Sequence, residues 1–248
     1  MPRDNLTPDY QKLSELYGTF LGALGGVSIT VLSIVMAFNT DRIKAVFFQY
    51  LIAALGAAAF SCFTGGHLMT ETAAFICKSR EEGQERQTGV RLCAIATINI
   101  YNSVVLIIFS LVLVVVGLNP DYVVLKVFFI VLFACIIMSA LIWVALTITD
   151  RLGQPEDAPG WKSPFIASGL SLACIYLLFV TPPQRTIWVS LFTSLICTFL
   201  PLAYFNRTYK DGDQLRYRDV YFFATCTILP CVSIVISCFN LRYLCEAG

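Results

Sequence analysis

The sequence predicts an all-α polytopic transmembrane bundle of about seven spans, and three observations carry that prediction. Of 248 residues, 57% are apolar and only 13% are charged, the mean hydropathy is +0.74, and the apolar residues gather into runs of 17 or more with no internal Asp, Glu, Lys or Arg. Such surface exceeds what a water-soluble fold can bury. A helix of that length covers the roughly 30 Å of a hydrocarbon core. The runs are continuous, without the alternation of barrel strands, and a helix satisfies its own backbone in lipid.

The first span is expected at about Tyr17 to Phe38, behind a cytoplasmic lead-in segment over residues 1–16 in which Thr7, Pro8 and Asp9 read as an N-cap, a first-turn proline and a helix-favouring acid. The run is too long for the apolar core of a signal peptide, and both charge signs precede it, so it is expected to stay as a mature span. Residues 17–248 then form a single seven-helix domain, with further spans at Ala45 to Met69, Leu92 to Leu118, Val127 to Thr149, Pro164 to Val180, Thr186 to Phe205 and Val220 to Leu241. Pro164 to Val180 is the shortest, with Trp161 and Lys162 placed to anchor it at the interface. The longest connection, Thr70 to Arg91, is charged enough to extend the second helix past the membrane, with Glu82 and Arg86 spaced as an ion pair.

Charge sets the expected orientation. With seven spans, the amino terminus and the loops at 70–91, 150–163 and 206–219 share one side and hold twelve Lys and Arg; the five others, Arg42, Lys44, Lys126, Arg185 and Arg242, lie opposite. Without the fifth span the ratio falls to ten against seven. The positive-inside rule therefore favours seven spans, a cytoplasmic amino terminus and an outside carboxyl terminus, in a plasma or bacterial inner membrane. That orientation is the reverse of G-protein-coupled receptors and microbial rhodopsins.

Several classes are excluded. A net charge of +1, with basic residues only where topology explains them, gives no nucleic-acid surface. The sequons at Asn5 and Asn206 fall on the cytoplasmic side. Most of the ten cysteines sit inside apolar runs as small hydrophobes, and no C-x-x-C pair points to zinc or redox chemistry. A single histidine, His67, cannot build a zinc hydrolase site, and no Asp falls inside a predicted span to form an aspartyl protease pair. Ser168 or Ser171 with His67 lacks any nucleophile motif. No cofactor motif and no metal site is expected, and an enzyme is the less favoured reading.

Two features remain. Gly18, Gly22 and Gly26 recur every four residues in the first helix, a groove expected to admit a second helix closely, with Ala54, Gly56 and Ala58 as the matching surface. Polar residues inside spans are costly unless they face the bundle or a hydrated cavity. His67 and Glu71 are spaced i,i+4, and Asn99 and Asn102 share a face of the third helix at the same depth. These four are expected to line a polar cavity open to the cytoplasm, for transport of a small solute or ion or for sensing a membrane ligand. The alternative is a non-catalytic structural or regulatory subunit of a membrane complex, in which those residues pack and an apolar face mediates assembly. The partners are accordingly the lipid bilayer, a small-molecule or ion ligand, and a homo-oligomer or a membrane-protein partner.

Overall fold

The computed structural model describes residues 7–37, 45–78, 85–118, 162–208 and 217–246. These form six helices, α1 (Thr7–Ala37), α2 (Ala45–Lys78), α3 (Glu85–Leu118), α4 (Lys162–Val180), α5 (Pro183–Thr208) and α6 (Tyr217–Glu246), with no strand among the described residues. Five of them, all but α4, are long and apolar enough to cross a membrane by length and composition. The predicted span Val127 to Thr149, the anchor Trp161 and the Glu82–Arg86 pair lie outside, or partly outside, the described residues.

Local chemistry explains the helix limits. The lead-in segment is not a separate helix, because α1 runs unbroken from Thr7 into the apolar stretch. Likewise α2 continues past the apolar window, which ends at Ala73, to Lys78. In α4 the apolar stretch is only Ile166–Leu178, shorter than a full span. It stops before Pro182 and Pro183, since a proline disfavours helical geometry in the residue before it. Pro183 then opens α5 at the first helical position, where its missing N–H costs nothing. The Pro182 carbonyl accepts from the amides of Arg185 and Thr186, at 2.8 and 3.2 Å. Asp219, expected in a loop, sits in the first turn of α6, where a carboxylate meets the positive end of the helix dipole.

The helix directions follow from paired residues. Ser61 of α2 meets Asn99 of α3, and Gly65 lies against Asn99 and Ala96, while Tyr50 and Leu51 cluster with Leu113, so α2 and α3 are antiparallel. Tyr50 meets Trp188 and Phe60 meets Phe199, so α2 and α5 are parallel. Thr186 meets Asn240, and Tyr204 meets Asp219, so α5 and α6 are antiparallel. The core accordingly divides by depth. One cluster joins the start of α2 and α5 to the end of α3 and α6, through Leu51, Leu106, Phe109, Ile187 and Ile234. The other joins the end of α2 and α5 to the start of α3 and α6, through Leu68, Ile95, Cys197, Phe205 and Phe222, and adds Leu21 of α1 and Ala167 of α4.

The close approach of α1 to α2 is real but shifted around the helix. A Cβ on Gly18 would stand 3.1 Å from Thr70 Oγ1, and one on Gly25 would stand 3.1 Å from the Phe63 ring. At Gly22 and Gly26 a Cβ would meet nothing within 4 Å. On α2 the matching positions are Gly65 and Gly66, not Gly56: a Cβ on Gly66 would lie 3.3 Å from the Gly18 carbonyl, and one on Gly65 would lie 3.0 Å from Asn99 Cβ. The buried line on α1 is Leu21, Gly25 and Ser28. Helix geometry is the reason, because strict four-residue spacing drifts about 40° per step, while alternating steps of three and four hold one face.

Leucine at Gly66 should drive α1 off α2 and cost about 1–3 kcal/mol as overpacking. Leucine at Gly26 should leave the unfolding midpoint in detergent unchanged. Equal midpoints for Gly66→Leu and Gly26→Leu would contradict this register.

Candidate functional site

Most buried or lipid-facing hydroxyls of these helices satisfy themselves locally. Thr19, Ser28, Thr64, Thr72, Ser110 and Thr227 each donate to the carbonyl four residues earlier in their own helix. In hydrocarbon that is the nearest acceptor, and it makes the side chain neutral to its surroundings. The hydroxyls that also reach across to another helix, or that have no partner, define the candidate site.

On α5, Thr186, Ser190, Ser194 and Thr198 recur every four residues and are all at most 1% exposed. They form a buried polar seam about 18 Å long at the helical rise of 1.5 Å per residue. At its α5 start, Ser237 of α6 donates to the Thr186 carbonyl at 3.2 Å, and Asn240 Nδ2 donates to Thr186 Oγ1 at 3.3 Å. One turn on, Ser190 donates to the Ser233 carbonyl at 2.8 Å and pairs with the Ser237 hydroxyl at 2.7 Å. At the far end Thr198 lies 3.3 Å from the Ser61 hydroxyl of α2 and accepts from Asn102 Nδ2 of α3 at 3.4 Å. Ser61 also donates toward the carbonyl and Oδ1 of Asn99, at 3.2 and 3.3 Å. Three helices thus converge on a cluster of Ser61, Asn99, Asn102 and Thr198, each at most 1% exposed.

Two atoms of the seam have no hydrogen-bond partner, Asn102 Oδ1 and Ser194 Oγ, and both residues are fully or almost fully buried. An orphaned buried acceptor or hydroxyl costs about 1–3 kcal/mol. Asn99 carries no such deficit, since its Nδ2 donates to the Ile95 carbonyl at 3.1 Å and Ser103 caps its own carbonyl at 2.7 Å.

Of the four residues expected to share a cavity, the structure brings together Asn99 and Asn102. His67 is exposed, in line with exposed Phe60, Phe63 and Thr70 on the opposite face of α2 from Ser61, and Glu71 beside it is half-buried. The reason is rotational: six residues separate Ser61 from His67, about 240° around the helix. The seam also extends from Asn102 toward the start of α5, away from the end of α2 that carries His67. It is packed rather than wide. An outward groove of about 500 Å³ between α2 and α5 is lined by Ala53, Ala57, Trp188, Phe192 and Leu195 and is wholly apolar. Ser168 is exposed and Ser171 bonds the Ala167 carbonyl, so neither serves as a nucleophile beside His67. Among the described residues no three His, Cys, Asp or Glu side chains gather as metal ligands.

Two further features were readable in the chain. The α5 stripe is one, at strict i,i+4 spacing. The other is the repeated pentapeptide Cys197-Thr-Phe-Leu-Pro201 and Cys226-Thr-Ile-Leu-Pro230, one copy in each of two antiparallel neighbours. Both cysteines are buried free thiols of one core cluster, and each proline denies its cysteine's carbonyl the usual helical N–H. Below this level Phe205, Phe222, Phe223 and Tyr204 stack, with Tyr204 donating to the fully buried Asp219 at 3.0 Å. That aromatic layer closes the seam toward the end of α5.

Thr198→Val should destabilise the bundle by about 1–2 kcal/mol, because it strips partners from Ser61 and Asn102 at once. Asn102→Leu should be close to neutral in the absence of any ligand, since it also removes the orphaned acceptor. Thermal unfolding in detergent separates them, and a larger loss for Asn102→Leu would show that the amide is a structural strut. The chain matches no protein-family model, no curated protein and no solved structure.

Proposed function

We propose that this chain is an integral membrane protein that binds a small polar solute or ion in the seam between α2, α3 and α5, as a transporter or ligand sensor. The observation that supports this reading is the pair of orphaned polar atoms, Asn102 Oδ1 and Ser194 Oγ, among helices whose hydroxyls mostly bond a carbonyl of their own helix. A core built only for stability gains nothing from Asn102 Oδ1 and Ser194 Oγ, which cost less as apolar atoms. Polar side chains kept inside apolar helices mark solute pathways and binding sites. In this reading His67 and Glu71 belong to the bundle surface near the end of α2 and take no part in the seam.

The topology proposed with it has seven spans, a cytoplasmic amino terminus and a carboxyl terminus outside. Its support is the twelve-to-five charge asymmetry together with the helix directions. The chain leaves α3 at the face where α2 starts and enters α4 at the opposite face, where α3 starts. An odd number of crossings between them keeps the basic connections at 70–91, 150–163 and 206–219 on one side.

A second reading, a subunit of a larger complex, is favoured by α1. Only 22% of its apolar window is buried, and Leu16, Phe20, Val27 and Ile34 are exposed on its outer face.

Native mass spectrometry from mild detergent separates the two. The seam reading expects a small adduct retained by the wild type and lost in Thr198→Val; a stoichiometric protein partner with no adduct would replace it with the subunit reading. For topology, in a variant keeping Cys245 alone, a membrane-impermeant thiol reagent should label intact cells. A sole cysteine introduced as Gln84→Cys should stay unlabelled. The reverse pattern would invert the orientation.

A further inference from the structure

We infer that the occupant of the seam is a dehydrated monovalent cation of the sodium class, held beside Asn102 and Ser194; the inference rests on the seam being a binding site. The argument is a count of protons and lone pairs. Thr198 gives its hydroxyl proton to the Ser194 carbonyl at 3.0 Å, Ser103 gives its own to the Asn99 carbonyl, and Asn99 Nδ2 gives to the Ile95 carbonyl. These donors are turned out to the main chain. Inside the cluster the Ser61 proton is shared among Asn99 and Thr198, and Asn102 Nδ2 gives one to Thr198 Oγ1. What remains without a partner is the Asn102 Oδ1 lone pairs and the whole Ser194 hydroxyl, while Asn99 Oδ1 and Thr198 Oγ1 already accept one hydrogen bond each and keep a further lone pair.

The orientation of the Asn102 amide follows from the same count. Its NH2 lies against Thr198 Oγ1, whose proton is committed elsewhere, so exchanging N and O would set two acceptors together and orphan a donor instead. Asn102 Oδ1 therefore stays unpartnered while fully buried, and Thr198, which its amide contacts, is one turn of α5 from the equally unpartnered Ser194 Oγ. A second surplus acceptor lies beside them in sequence. Pro201 has no N–H for the Cys197 carbonyl, the residue preceding Thr198.

The donor set selects the ion. Every acceptor in the cluster is a neutral oxygen, and its two amide nitrogens are engaged as donors to Ile95 and Thr198, which suits a hard cation over a soft one. Divalent ions are ordinarily held by carboxylates, and none is bonded into the cluster; the buried carboxylate nearby in the fold, Asp219, is engaged by Tyr204 beyond the aromatic layer. A single charge is what neutral oxygens inside apolar helices can carry.

The experiment is thermal unfolding of the purified full-length chain in detergent, titrated with sodium chloride against choline chloride at constant ionic strength, with lithium and potassium as further probes. Sodium should raise the midpoint saturably by several degrees. Ser194→Ala and Asn102→Leu should keep the choline midpoint within a degree or two and lose the sodium-dependent rise, the first removing a single oxygen and so disturbing the fold least. Identical midpoints in sodium, lithium, potassium and choline would overturn the cation. So would a sodium effect that persists in both variants, because the ion would then bind elsewhere. If the cation fails while a Thr198-dependent adduct is still retained in native mass spectrometry, the seam stands with a neutral guest; if both vanish, the seam is packing alone.

Discussion

Everything in this bundle answers to one constraint: inside apolar helices a polar group has no water to fall back on. Backbone groups meet it by forming helices of 19 to 34 residues. Hydroxyls meet it by bonding the carbonyl one turn back, so Thr64 and Thr72 behave almost as apolar residues. Against that background, hydroxyls that reach across helices are informative in a way they would not be in water. Ser61, Ser190 and Ser237 fix the rotation and depth of α2, α5 and α6 relative to one another, because their bonds exist in one register only.

The same constraint shapes packing. Apolar surface gives no preference for helix over lipid, so association depends on close contact and small residues. Gly65 and Gly66 serve both neighbours of α2: Gly66 lets the α1 backbone in, and Gly65 admits Asn99 of α3 and Leu21 of α1. Placing Asn99 against a glycine is also what brings its amide within reach of Ser61. A packing glycine and a polar contact are therefore one piece of geometry, and the polar cluster depends on the α2–α3 approach.

Asparagine, serine and threonine at the centre of the bundle limit its chemistry as well. The cluster has neither a strong base nor an activated nucleophile: His67, the only histidine, is on the outer face, and Ser171 is tied to its own helix. Neutral oxygens in a packed setting offer lone pairs for hydrogen bonding or ligation and no titratable base near neutral pH. The aromatic layer of Phe205, Phe222 and Phe223 lies beyond one end of the seam, and Pro201 and Pro230 interrupt the backbone bonding of α5 and α6 beside it.

The sequence by itself determined the helical class, the apolar windows, the weak fifth run and the burial of Asn99 and Asn102, because each depends on how many apolar residues follow one another and on how costly an amide is in hydrocarbon. The Ser/Thr stripe of α5 was equally legible as spacing, yet a helical hydroxyl can bond the carbonyl one turn back, as Thr198 does, so spacing alone does not separate a seam from self-satisfied residues. Only the tertiary structure decided which face of each helix turns inward. A helix that is apolar all round has no sequence-encoded inside. The rotation of α2, which sends Ser61 into the bundle and His67 out of it, is set by where Gly65 and Gly66 admit their neighbours. For the same reason the buried line of α1 runs through Leu21, Gly25 and Ser28, with Gly18 and the Gly22 amide at its edge against Gly66, and Gly26 turned out, since contact follows the 3.6-residue turn of the real helix and not the regularity of the letters.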